Sequence, residues 1–278
     1  MRVTHLKSQQ HGAALMVMLV IMVVGIAAVL VGSLNSSALN INRQQQTSAA
    51  LAKAKDALIG RAAADATLPG SLPCPDSNDD GSSDSLGTSD CTSYIGRLPW
   101  RTLGLTELRD GTGEHLWYAL SRNFRDYPSN HINSDTLGTL NLTGTQTANN
   151  LVAIIFSAGN PVTAQNRSST QTALCSSSNS TLAANLCASN YLEGSNANLS
   201  NATTPNSAYQ IAIPTSTFND QLLFISHDQL MAVIEKRIAR EAKNCLDGYA
   251  IKSGGTYPWA TPLSSTTLRP SMSGTYFG

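Results

Sequence analysis

The chain has 278 residues, enough for one large domain or two small ones, and its 18 Lys and Arg balance 18 Asp and Glu to a formal net charge of zero. A nucleic-acid binder usually carries a basic excess, so no nucleic-acid partner is expected. Charged residues make up only 13%, against a usual ~25% in soluble domains; Ser, Thr and Asn fill the gap, as in exported surface and fibre proteins rather than cytosolic enzymes.

The chain opens with a short polar stretch, Met1 to Gly12, whose fixed positive charges are Arg2 and Lys7. Ala13 to Leu34 is then almost wholly apolar, and ~20 such residues suffice to cross a bilayer core as a helix. No Asp, Glu, Lys or Arg occurs between Lys7 and Arg43. That asymmetry places the N-terminus in the cytoplasm, a single pass in the membrane and the rest outside. The run reads as an ordinary signal peptide, as an uncleaved anchor, or as a signal cut ahead of the apolar run.

The stretch Gln9-Gln10-His11-Gly12-Ala13-Ala14-Leu15 resembles the prepilin peptidase site of type IV pilins and type II secretion pseudopilins. The resemblance implies cleavage between Gly12 and Ala13, methylation of Ala13, and retention of the apolar run in a filament core. The family usually begins its mature chain with Phe or Met and has Glu at the fifth position. Here Ala13 and Val17 stand there, as in the subset of minor pilins and tip pseudopilins that lack the glutamate. The implied partners are prepilin peptidase, other pilin or pseudopilin subunits, an inner-membrane assembly platform and membrane lipid, and the implied place is a single pass in the bacterial inner membrane with the head in the periplasm or on a cell-surface filament.

Residues 35–65 hold no proline, one glycine (Gly60) and many good helix formers. Ala50, Leu51, Ala54, Leu58, Ile59 and Ala62 recur at helical spacing; Pro69 and Gly70 stop the pattern. One helix is expected from about Ala13 to Ala64, roughly 75–80 Å long at ~1.5 Å per residue. The domain plan is therefore a leader at 1–12, a transmembrane or filament-core helix at 13–34, an amphipathic continuation at 35–65 and a globular head at 66–278. The fold class is α+β: a long hydrophobic N-terminal helix, a small antiparallel-sheet head with a long polar loop, and a C-terminal helix.

Within the head, Leu116–Leu120, Leu151–Phe156, Gln210–Ile213 and Gln221–Ile225 read as strands. A helix is expected from Asp228 to Leu246, capped by Ser226 and Gln229, with Leu230, Ile234, Ile238, Ala242 and Cys245 as its buried stripe. Between Asp135 and Asp220 the only charges are Arg167 and Glu193, and 162–207 reads as a long polar loop. Export makes disulfides expected. Near-neighbour pairing joins Cys74 to Cys91 and Cys175 to Cys187, leaving Cys245 either buried and inert or paired with another chain.

Asp76-Ser77-Asn78-Asp79-Asp80-Gly81-Ser82-Ser83-Asp84 matches the first half of an EF-hand-type calcium loop. Its oxygens alternate and its sixth position is glycine, while the twelfth is Gly87 where the bidentate Glu belongs. Asp76, Asn78, Asp80 and Asp84 are the candidate ligands of a calcium ion; the same residues also read as a solvated acidic turn beside a disulfide. No catalytic constellation is found. Ser157 lacks the first glycine of a nucleophile elbow, and His227-Asp228 reads as a helix start. The expected function is a non-enzymatic structural or assembly subunit, a minor pilin or pseudopilin; the alternative is a membrane-anchored, adhesin-like binding protein.

Overall fold

The computed structural model describes residues 11–87, 89–162, 165–176, 181–203 and 208–258, with side chains described for all of these except 11–14 and 27–37. Positions 1–10 of the expected leader and positions 259–278 of the expected head lie outside the described residues.

Helix α1 runs from His11 to Ala64. Over its last turns Ala50, Leu51, Ala54, Leu58 and Ala62 are buried in one stripe, the i, i+4 spacing that keeps side chains on one face. The helix stops at Asp65. This carboxylate accepts hydrogen bonds from the Arg61 guanidinium (2.6 Å), the Thr67 amide (2.9 Å) and hydroxyl (3.0 Å), and the Leu68 amide (2.8 Å).

The head is built on one six-stranded sheet. Its strands are β1 (Ile95–Arg97), β2 (Trp117–Leu120), β3 (Leu140–Gly144), β4 (Ala148–Ser157), β7 (Ala208–Ile211) and β8 (Gln221–Ser226). The path is β1-β2-β4-β3-β7, with β8 pairing β4. A separate hairpin joins β5 (Thr172–Leu174) and β6 (Thr181–Ala183). Helix α2 (His227–Lys252) follows β8 directly, and its capping box is formed: the Ser226 hydroxyl accepts from the Gln229 amide while the Gln229 side chain accepts from the Ser226 amide.

Strand alternation gives the sheet two apolar faces. Tyr118, Leu120, Ala153, Ile155 and Ile225 join Leu51, Ala54, Leu58, Leu230 and Ile234 of the two helices in one core. Trp117, Ala119, Ile154, Phe156 and Leu222 point the other way and meet Tyr191, Leu192, Ala202 and Tyr209 in a second core.

Several expectations are corrected. The sheet is mixed, not antiparallel. β3 and β7 run parallel, Asn141 opposite Ala208 through Gly144 opposite Ile211, because the chain between them is long enough to make the crossover that parallel strands require. The segment expected as a long loop carries the β5–β6 hairpin and four 3-10 turns between Ala184 and Ala202, and it covers the second sheet face. The expected membrane-spanning hydrophobic helix is overturned as well. Among the described residues no helix is long and apolar enough to cross a membrane, so the single-pass inner-membrane placement with a cytoplasmic N-terminus is not supported. The disulfides Cys74–Cys91 and Cys175–Cys187 are both formed, which accords with an oxidising compartment. Cys245 is exposed rather than buried, because α2 extends past the elements that cover its first turns.

Candidate functional site

Among the described residues, a long run of uncovered apolar side chains lies on α1. Leu15, Met16, Val17, Met18, Leu19, Val20 and the residues on to Ile26 are between 55% and 76% exposed. These are apolar on every side of the helix, whereas a helix facing water on one side shows a single apolar stripe. Exposed apolar patches of this kind mark interaction surfaces. Gly12 and Ala13, the expected processing pair, stand in the first turn of α1; their side chains lie outside those described.

From Arg43 onward α1 is held to the head by close backbone approach. The Gly111 amide donates to the Thr47 hydroxyl at 2.9 Å, and a Cβ on Gly111 would collide with the carbonyl of Arg43. Lys55 Nζ donates to the Phe224 carbonyl (2.8 Å) and to Gln229 Oε1 (2.9 Å). Further along, the Arg237 guanidinium donates to the carbonyls of Ala63 and Asp65. α1 and α2 therefore lie side by side and parallel, advancing in step from Lys55 beside Gln229 to Ala63 beside Arg237.

The acidic loop is drawn together around its own backbone. Asp76 is 1% exposed. Its Oδ1 accepts from the amides of Asn78 (3.0 Å) and Asp79 (2.7 Å), and its Oδ2 from Gly81 (2.7 Å). Asp80 accepts from the Ser82 amide and the Asn78 side chain, and Asp84 Oδ1 from the Ser77 amide at 3.0 Å. Burial pushes the Asp76 carboxyl above its ordinary value against these amide donors. Gly81 adopts φ +84°, with the Trp100 indole where a Cβ would stand. The four candidate calcium ligands thus share one loop, and the oxygens of Asp76, Asn78 and Asp80 and Oδ1 of Asp84 are engaged within it, while Asp84 Oδ2 is buried without a partner among the described residues. Among the described residues no group of three or more His, Cys, Asp or Glu is placed to hold a metal.

Asp79 departs from that set, with φ 63°, and reaches His115 Nδ1 at 2.7 Å. Burial works to raise the Asp79 carboxyl, but its bond to His115 and the charge of Arg97 prevail and hold it below its ordinary value. That bond in turn raises the His115 imidazole. Arg97, 3% exposed, lies against the rings of both Trp117 (4.2 Å) and Tyr191 (4.1 Å) and donates to the carbonyls of His115 and Asn185. Desolvation lowers its guanidinium from the ordinary value; the two aromatic faces compensate for lost water through cation–π attraction. Sequence reading missed Arg97, because a lone Arg gives no periodic signal.

A buried carboxyl pair was missed for the same reason. Glu193 Oε2 accepts from the amides of Asn219 (2.9 Å) and Asp220 (3.0 Å) and Oε1 from Gln165 (2.7 Å). Asp220 Oδ2 accepts from the Glu193 amide and Asn196 Nδ2, both at 2.9 Å. Desolvation first, then the neighbouring Glu193 charge, push Asp220 well above the ordinary carboxylate range. Ser157 donates to Asp110 Oδ2 at 2.7 Å in a buried contact, which fixes the end of β4 to the Asp110 turn. His227 begins α2, with Nδ1 2.9 Å from Asp228.

Compared with protein-family models, with curated proteins and with solved structures, the chain matches none.

Proposed function

We propose that this chain is a structural or assembly subunit of a pilin-like filament, processed between Gly12 and Ala13 by prepilin peptidase. The observation that carries the reading is the division of α1. One helix supplies a buried stripe to the head core from Ala50 to Ala62 and, in 15–26, an apolar surface that nothing in the described chain covers. A helix apolar on all sides is stable when other apolar surfaces enclose it, and copies of the same segment in a filament core supply that enclosure. The two disulfides suit a head that works outside a reducing compartment.

The test is the mature N-terminus, read by mass spectrometry from cells with and without prepilin peptidase. The expected result is a chain beginning at methylated Ala13 only when the peptidase is present. A chain still beginning at Met1 in both strains would overturn the reading.

A further inference from the structure

The cover over the second sheet face is held down by two acids. Glu193 and Asp220 are both buried and stand on different segments, one in the cover and one just ahead of β8. Each takes the other's backbone amide: Glu193 Oε2 accepts from the Asp220 amide at 3.0 Å, and Asp220 Oδ2 from the Glu193 amide at 2.9 Å. Asn196 extends this seam. It donates to Asp220 Oδ2 and exchanges two hydrogen bonds with the Gln210 backbone of β7. The seam seats Tyr191 and Leu192 in the second core with Trp117, Phe156 and Tyr209. The two carboxyls also bond each other. Ionised carboxylates only accept hydrogen bonds, so that bond requires a proton on one of them. Asp220 Oδ1, buried and offered no donor by the described residues, is the oxygen left to carry it. The groups around the pair do not replace the proton. The turn Gly194–Ala197 and β7 bring the uncharged Asn196 and Gln210, and β8 opens with Gln221, Leu222 and Leu223. Arg167 reaches Glu193 through Gln165, which accepts from the guanidinium at 2.8 Å and donates to Glu193 at 2.7 Å.

We infer that Glu193 and Asp220 form a proton-held latch: with one proton between them the cover is closed, and loss of that proton lets Tyr191–Asn196 lift from a sheet that stays folded. Without the proton two negative charges face each other in a site that excludes water, and opening returns both to solvent. The lifted segment stays tethered on both sides, by the Cys175–Cys187 disulfide and by the Tyr94 amide, which donates to the Ala202 carbonyl at 2.9 Å. Lifting takes the Tyr191 ring off the Arg97 guanidinium and uncovers Trp117. The sign follows from where the proton is held. Burial and the Glu193 charge raise Asp220 in the closed state, so opening releases a proton. The latch is fully engaged below the ordinary value of 3.8 and weakens as the pH rises through the raised one. Across that window the opening constant grows about tenfold for each pH unit. The latch is independent of the filament reading and acts on the head alone.

Hydrogen exchange of the full-length protein, followed by mass spectrometry between about pH 5 and 8 and corrected for the chemical exchange rate, reads local opening directly. Two peptides decide the matter: one covering Tyr191–Asn196, the other covering Ala153–Phe156 of β4, which is paired on both sides by β2 and β8. In the wild type the corrected rate of the cover is expected to rise about tenfold per pH unit until the closed state also loses its proton, while β4 stays protected. Asp220→Asn places an amide donor where the proton sits and is expected to remove the slope. Glu193→Gln removes the facing charge and is expected to reduce it. A flat wild-type cover overturns the latch. So does a slope that β4 shares in full, which marks whole-domain unfolding, and so does a slope that survives unchanged in both variants, which places the proton elsewhere.

Discussion

Asp220 is 3% exposed, and one of its oxygens, Oδ1, is buried without a hydrogen-bond partner among the described residues. Two carboxyl groups that share a site do not both ionise readily. The fold holds a proton on Asp220 more tightly than the unfolded chain does, so proton binding favours the folded state. Stability from this site is therefore full below the ordinary value of 3.8 and is lost as the pH rises through the raised one. Asp220→Asn keeps the acceptor for Glu193 and Asn196 and removes the ionisation. It is expected to raise the melting temperature at pH 7 to 8, by about 1 kcal/mol of stability, and to flatten its decline with pH; an unchanged pH profile would contradict the assignment. Asp65 behaves oppositely. Burial works to raise it, but the Leu68 amide, the Arg61 guanidinium and Thr67 hold it at about 2. Its contribution is present above 3.8 and lost as the pH falls from there through about 2. Acid unfolding of Asp65→Asn, followed by circular dichroism, should accordingly depend less on pH between about 4 and 2.

At the scale of elements, the docking of α1 is governed by small residues. Ala54 and Leu58 are fully buried against the sheet. Leu58→Ala is expected to cost about 2–5 kcal/mol through the cavity it leaves, and Ala54→Leu about 1–3 kcal/mol through overpacking; denaturant melts of the head distinguish both from wild type. The buried stripe of α1 and the cap of α2 were legible in the sequence because both are local patterns. The continuous apolar runs of β4 and β8 were legible for the same reason. Periodicity says which face of a helix is apolar but not what covers it. Hence Ile238 and Cys245 were expected to be buried with Leu230, although they stand exposed on the far part of α2. The parallel pairing of β3 with β7 was hidden because its partners are set by the crossover between them, with no motif in either strand.

At the scale of the whole molecule, the second core shows what composition conceals. The stretch from 184 to 203 is rich in Asn, Ser and Ala, yet it places Tyr191 against Trp117 with ring centroids 5.2 Å apart and buries Asn196 and Asn201. Asn196 accounts for its own burial: Nδ2 donates to the Gln210 carbonyl and to Asp220, while Oδ1 accepts from the Gln210 amide. A polar segment can cover a sheet when its amides are satisfied this way, and no hydropathy pattern announces it. The acidic loop was the reverse case. Its oxygen spacing was plain in the sequence, while the backbone amides that occupy most of those oxygens become evident only in three dimensions.

The core beneath α1 also sets a timetable. Its helix stripe, Ala50 to Ala62, is synthesised early, but the surfaces that cover it include Ile225, Leu230 and Ile234. At about 5–20 residues per second, roughly 10–30 s pass between the making of Leu58 and the making of Ile225. Throughout that interval the cover of the stripe is incomplete, and β4, once made, waits roughly 3–14 s for β8. The head is thus a fold that its last-made strand and helix complete, and a chain stopped before Gln221 would leave both surfaces open to other chains.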